Sequence, residues 1–207
     1  QNRQLQRLNR QLGEGIDLLE RFRSDVGVLS LTRDPTNVVM WAHYAENSSG
    51  VCIGIDSAHS FFVDYCPAEA EFTRHAALFQ IASVSYEIRR PNFSADSPSR
   101  YVRKAFFTKY QKWAYEEEVR LLRPIGESLT TTPVPLIELP LDTIREVIVG
   151  NRASDSTKEL VGKLASDMPH VRLLLAEVPK NEYAIRPRVV REAEPPLARD
   201  APQAARP

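Results

Sequence analysis

The sequence predicts an α+β fold, a small mixed or antiparallel sheet core with flanking helices. Three observations point there. Short β-branched runs and amphipathic stretches are mixed along the chain, giving five to seven strands and three helices. Their order does not alternate as a doubly wound sheet requires. At 207 residues, 43% hydrophobic and 26% charged, the chain is apolar enough to bury one sizeable core.

Residues 1–25 are expected to form an amphipathic helix. Leu5, Leu8, Leu12, Ile16, Leu19 and Phe22 recur at steps of three and four, with Gln, Arg and Glu opposite. Gly13 and Gly15 fall inside that pattern, where glycine disfavours helix and could split or bend it. Such a helix needs a surface to cover its apolar face, either its own domain or a partner protein. Val26–Thr32 reads as a buried strand, the RDPTN segment as a turn and NSSG as a second turn. Val38–Tyr44 between them is ambiguous between strand and helix, and a short helix running to Glu46 is the preferred reading. Val51–Ile55 is a further strand, in which Gly54 signals a bulge or a close backbone approach.

A strand is expected within Ala76–Tyr86, a loop over 89–99, a helix over Tyr101–Lys112 and a strand over Tyr115–Leu122. Leu136–Leu141 and Glu146–Val149 read as strands, Ser154–Met168 as a helix capped by Ser154 or Asp155, and Val171–Ala176 as a last strand. These elements make one domain over 26–186, to which the helix at 1–25 belongs. From Pro187 to Pro207 proline and charge dominate and no period survives, so a disordered tail is expected.

The charge balance narrows the function. With 27 basic and 27 acidic residues, the chain carries no global electrostatic footprint for nucleic acid. No apolar run is long enough for a membrane helix, and QNRQLQRLNR is not followed by the apolar core of a secretory signal. A cytoplasmic protein without membrane contact is the expectation. Cys52 and Cys66 make no disulfide framework. Cys52, His59, Cys66 and His75 are separated by six, six and eight residues to the next, counted as gaps, and lack the tight clamp of a zinc site. No metal is expected. Neither GxGxxG, a Walker loop nor GxSxG occurs.

Two motifs remain. In WAYEEEVR, a strand would place Glu116, Glu118 and Arg120 on one face. A carboxylate held ionised by the neighbouring cation can accept a sugar hydroxyl and stabilise charge developing at an anomeric carbon. The plainer alternative is an exposed, salt-bridged segment. In MWAHYA, Trp41, His43 and Tyr44 offer a stacking surface with hydrogen-bonding tips. Their plainer alternative is a pair of core anchors flanking a satisfied histidine.

These residues carry a resemblance. Ser30–Asp34, Met40–Ala45, Gly50–Asp56, Val84–Tyr86, Lys109 with Trp113–Arg120, and Leu139–Gly150 together resemble a bacterial family known as domain of unknown function 2971. The likeness runs from about residue 26 to 186. It implies an ADP-ribosyltransferase-like fold with NAD as substrate and a macromolecular acceptor, protein or nucleic acid. The activity would be mono-ADP-ribosyl transfer or NAD hydrolysis, in a toxin or anti-phage effector. On that reading Glu118 is the catalytic glutamate, and Glu116 activates or orients an acceptor. Ser30, Trp41, His43, Tyr44 and Arg120 would contact the NAD. Such families usually open with a tyrosine- or histidine-bearing strand ahead of the first long helix. This sequence starts in that helix. Two alternatives stay open: a non-catalytic module of the same fold that binds a nucleotide or a partner, and a Mg²⁺-dependent nucleic-acid enzyme using Glu116 and Glu118.

Overall fold

The computed structural model describes residues 2–67, 75–93, 97–125 and 136–194. The chain gathers into two compact units, each built from stretches that are separate in sequence: Gln1–Asp34 with Ser57–Pro140, and Pro35–Asp56 with Leu141–Pro207. Reading one domain over 26–186 does not anticipate this interleaving. The architecture is nevertheless the expected mixture of α and β, with three small sheets among the described residues.

The first unit opens with helix α1, Asn2–Asp25, which runs through Gly13 and Gly15 without a break. Gly15 is a contact point: a Cβ there would lie 3.1 Å from the Tyr101 ring, so the missing side chain lets the helix that carries Tyr101 approach closely. The expected apolar face is only partly used. Leu18 and Phe22 are buried against Val26, Leu78, Phe79, Val102, Phe107 and Leu122, while Leu5, Leu8, Leu12 and Ile16 stay exposed.

Strand β1, Val26–Thr32, follows directly and pairs antiparallel with β6, Glu118–Pro124, which is central in its sheet. β1 is not the buried strand expected, because it lies at the sheet edge and Val28 and Leu29 are exposed. The short helix α3, Ser60–Val63, is capped by the His59 ring, which accepts from the Phe61 N–H at 3.1 Å. The single strand expected in 76–86 is broken up. Ala76–Phe79 is a 3₁₀ turn, and the two stretches after it, β3 (Ala82–Ser83) and β4 (Ser85–Glu87), pair in different sheets.

Helix α4, Pro98–Phe107, stops short of the predicted Lys112. The next residues are β5, Thr108–Tyr110, pairing parallel with β4, and a 3₁₀ turn over Gln111–Glu116. Pairing with a strand distant in sequence outweighs the local helical period here. Glu117 then adopts a left-handed conformation, φ 44°, so β6 begins at Glu118 rather than Tyr115.

In the second unit, helix α2, Val38–Tyr44, starts where the Asn37 side chain accepts from the amides of Val39 and Met40. Strand β2, Val51–Ile55, heads a four-stranded sheet with β7 (Ile144–Val149), β8 (Arg172–Glu177) and β9 (Arg186–Arg191), in the order β2-β7-β8-β9. Helix α5, Asp155–Ser166, makes the crossover between the parallel pair β7 and β8, and Ser154 caps it by accepting from the Thr157 amide.

The bulge expected at Gly54 is present. Register shifts between Gly54 and Ile55, and a Cβ at Gly54 would lie 2.4 Å from Glu146 Cγ. Glu46, Asn47 and Ser48 form a left-handed turn with φ of 47°, 54° and 68°. It closes on Gly150, where a Cβ would lie 2.1 Å from the Ser48 carbonyl oxygen.

Two more expectations fail. Residues 136–140 are irregular and Leu141–Thr143 is a 3₁₀ turn, so no strand spans Leu136–Leu141. The tail expected from Pro187 is strand as far as Arg191. Its proline is tolerated because β9 is the edge strand, hydrogen-bonded on one side only. The rest of that expectation, 195–207, lies outside the described residues.

Candidate functional site

The polar chemistry of the first unit converges on Glu118. Strand pleat puts Glu118 and Arg120 on one face of β6, as the sequence predicts, and register places Thr32 and Ser30 of β1 opposite them. Arg120 grips the carboxylate with two nitrogens, Nε to Oε1 at 2.7 Å and Nη2 to Oε2 at 3.1 Å. Its remaining arm is anchored, because Nη1 donates to the Phe106 carbonyl. From β5, Lys109 Nζ donates to Glu118 Oε2 at 3.1 Å. The Glu118 amide donates to the Tyr86 hydroxyl at 2.7 Å, which ties the start of β6 to β4.

Glu116 reaches the same point by another route. The pleat argument does not apply to it, since it ends the 3₁₀ turn and lies outside β6. The left-handed Glu117 reverses the chain between the two carboxylates, and Lys109 Nζ donates to Glu116 Oε2 as well. The turn is held from both sides. Thr32 Oγ1 donates to the Glu116 carbonyl at 2.7 Å, and the Arg33 amide to the Glu117 carbonyl at 3.3 Å. A left-handed non-glycine residue costs about 1–2 kcal/mol, and these contacts offset it.

Glu116 and Glu118 are 3% and 5% exposed, whereas the side chains of Lys109 and Arg120 keep 23% and 18%. The plainer reading of WAYEEEVR, an exposed salt-bridged surface, therefore does not describe these carboxylates. Burial alone would raise the Glu118 pKa. Hydrogen bonds from Arg120, Ser30 and Lys109, and the Arg120 charge, reverse this and carry it from 4.5 down to about 2. Burial also pulls Lys109 down, but its hydrogen bonds to Glu116 and Glu118 prevail and hold it above its ordinary value. The Tyr86 phenol is raised, first by burial and then by the neighbouring carboxylates, against the opposing pull of its Glu118 backbone hydrogen bond. Both members of the Glu118–Lys109 pair are thus fully charged at neutral pH.

Around Lys109 the surface is aromatic. Its ammonium lies 5.1 Å from the centroid of Trp113, a ring 42% exposed, and Trp113 stands 6.0 Å from Tyr115. Ser30 is exposed beside Glu118, and Arg33 Nη2 donates to Ser83 Oγ at 2.8 Å. Lys109, Tyr86, Thr32 and Trp113 were not assigned roles from sequence. Lys109 sits in a stretch that reads as helix, and nothing local says it turns towards residues 116 and 118.

Trp41, His43 and Tyr44 belong to the second unit and do not form one aromatic surface. Trp41 is a core anchor, 3% exposed among Ala45, Ile148, Leu174, Ala176 and Ile185. Its indole N–H donates to the Pro35 carbonyl at 2.7 Å. Stacking a ligand on it would require opening that core. His43 and Tyr44 face outward, Tyr44 at 67% exposure, with their rings edge to face at 6.4 Å. Among the described residues, no three His, Cys, Asp or Glu side chains gather as a metal-binding group. His59 and His75 have other work, one capping α3 and the other bonded to Ser99 Oγ at 2.7 Å. No described helix is long and apolar enough to cross a membrane.

Residues 40–121 match the family described as protein of unknown function, DUF2971. The matched stretch includes MWAHYA and every member of the Tyr86–Lys109–Glu116–Glu118–Arg120 cluster. It is narrower than the span of about 26–186 over which the sequence resembles that family. No curated protein and no solved structure matches the chain.

Proposed function

We propose that the Glu118 cluster is the active centre of an NAD-consuming enzyme of ADP-ribosyltransferase-like fold, a mono-ADP-ribosyltransferase or NAD glycohydrolase. The observation that supports this most is the state of Glu118. It is a nearly buried carboxylate held ionised to about pH 2, fixed by a two-pronged arginine beside the exposed Ser30 hydroxyl. Such a group supplies negative charge that needs no reorganisation when positive charge develops nearby. In the reaction, the bond between ribose C1′ and the pyridinium nitrogen breaks, and its electron pair goes to the ring nitrogen. Nicotinamide leaves neutral, and the positive charge passes to the ribose as an oxocarbenium-like species. Glu118 accepts from the ribose 2′-hydroxyl and stabilises that charge. Water or an acceptor nucleophile then attacks C1′ and gives up its proton, which the neighbouring Glu116 carboxylate would accept.

The test is nicotinamide release from NAD by the full chain, with and without cell extract. Release should fall at least about a hundredfold in Glu118→Gln, whose fold is checked by circular dichroism. Label retained on a macromolecule in the extract would distinguish transfer from hydrolysis. Unchanged release in the variant would remove Glu118 from the mechanism.

A second reading has its own observation. Both Glu118 oxygens already receive cationic donors, as fits a structural carboxylate in a module that binds a nucleotide without turning it over. Saturable NAD binding by calorimetry without nicotinamide release would favour it.

A further inference from the structure

Lys109 sits between groups that together suit a cation. Two carboxylates, each at most 5% exposed, accept from its ammonium, and the half-exposed indole of Trp113 lies against it at 5.1 Å. Paired anions and a π face are what binds an organic cation, and here the protein's own lysine occupies the place. The neighbouring Arg120 is a different kind of group. It forks onto Glu118 and is fastened to the Phe106 carbonyl, so it holds Glu118 whether or not Lys109 is present. Among the described residues, Lys109 donates to the two carboxylates and to no backbone carbonyl. Its stem is flexible and its side chain is 23% exposed, so the ammonium can swing into water while keeping its charge solvated.

Resting on the NAD-consuming reading above, we propose that Lys109 is a displaceable occupant of a cation site for the substrate's positively charged ring, with Trp113 as the residue that stacks that ring. A pyridinium returns the charge that Lys109 takes away and adds a planar face for the indole. A neutral ring of the same shape offers the stacking but returns no charge to the two carboxylates. Breaking the ring–ribose bond converts the first ligand into the second, because the electron pair left on nitrogen cancels the ring's charge. The exchange therefore runs one way before the bond breaks and the other way after it. Substrate displaces Lys109, and Lys109 displaces the product.

The experiment uses 1-methylnicotinamide, a pyridinium without ribose or phosphate, against neutral nicotinamide. Each is titrated into the full chain while indole fluorescence is followed. The chain has two tryptophans, and Trp41 supplies a buried background. The cation is expected to quench saturably, at concentrations at least about tenfold lower than the neutral ring needs. That quenching should vanish in Trp113→Leu, an exposed substitution that leaves the core intact. Lys109→Met, with its competitor gone, should bind the cation about tenfold more tightly than the unaltered chain does. If Lys109→Met does not fold, the unaltered chain and Trp113→Leu still decide the matter. Equal affinity for charged and neutral rings, or quenching undiminished in Trp113→Leu, would overturn the proposal, as would weaker cation binding by folded Lys109→Met. Nicotinamide release from NAD is measured separately. Release without pyridinium binding sinks the cation site and leaves the enzyme reading standing. Pyridinium binding without release does the reverse.

Discussion

MWAHYA and WAYEEEVR look alike as sequences, each a tight knot of aromatic and polar side chains, yet they reach opposite ends in the structure. The first spends its tryptophan on packing. Trp41 is sealed among aliphatic side chains with its one polar atom satisfied, and the neighbouring His43 and Tyr44 are left on the surface. The second does the reverse. Its carboxylates go inside and its tryptophan stays out, 42% exposed beside Lys109. Burying an aromatic ring needs only shape and one hydrogen bond. Burying two carboxylates needs cations brought from elsewhere in the chain, and Lys109 and Arg120 supply them. An arrangement that costs desolvation and is built from several strands is the better candidate for chemistry.

The comparison breaks most visibly if Trp41 is not the anchor described. Trp41→Ala should cost about 3–5 kcal/mol of stability, since it removes a large buried ring and opens a cavity. Chemical denaturation would measure it, and the midpoint should fall well below that of the unaltered chain. A loss under about 1 kcal/mol would return Trp41 to the list of surface residues available to a ligand.

Acid sharpens the other side. A carboxyl whose folded pKa is depressed contributes stability that is fully present above its unfolded value and is lost as pH falls through its folded value. For Glu118 the window runs from 4.5 down to about 2. Within it the unfolded chain carries the proton and the folded chain does not, so stability should fall with decreasing pH by up to about 1.4 kcal/mol per unit from this group. Glu118→Gln has no proton to take up there. Its stability against pH should be flatter over that interval, as followed by urea midpoints at successive pH values. Curves of identical slope would mean that Glu118 is not held as described.

Local signals were legible and long-range ones were not. β1, β2 and α5 form where their sequence patterns place them, because a β-branched run, a bulge glycine and a serine cap act on their own neighbours. Burial did not follow: Val28 and Leu29 of β1 and Ile53 of β2 are exposed. Glu118 and Arg120 share a face because they lie two positions apart, and pleat needs nothing else. Glu116 reaches the site by a different route from the pleat, since a left-handed Glu117 stands where a strand is expected. β5 was hidden inside an apparent helix, and β9 inside an apparent tail. Each is created by pairing with another strand, β4 for one and β8 for the other, and not by its own local pattern. Lys109 was missed for the same reason, and with it the link between the two carboxylates. The division into two units was out of reach too, because each is assembled from stretches far apart in the chain.

The smallest effect tests the comparison where it is most exposed to error. His43 and Tyr44 stand outside the apolar cluster that holds Trp41, two and three positions further along the same short helix. If the motif matters only through its tryptophan, replacing both by alanine should move stability by no more than about 0.5 kcal/mol, the usual range for exposed side chains. It should leave NAD turnover at the level of the unaltered chain. A stable double variant that lost turnover would make the two rings part of the reaction, and the division of labour drawn between the motifs would fail. Unchanged turnover would confine the chemistry to the cluster around Glu118, with MWAHYA contributing only its buried anchor.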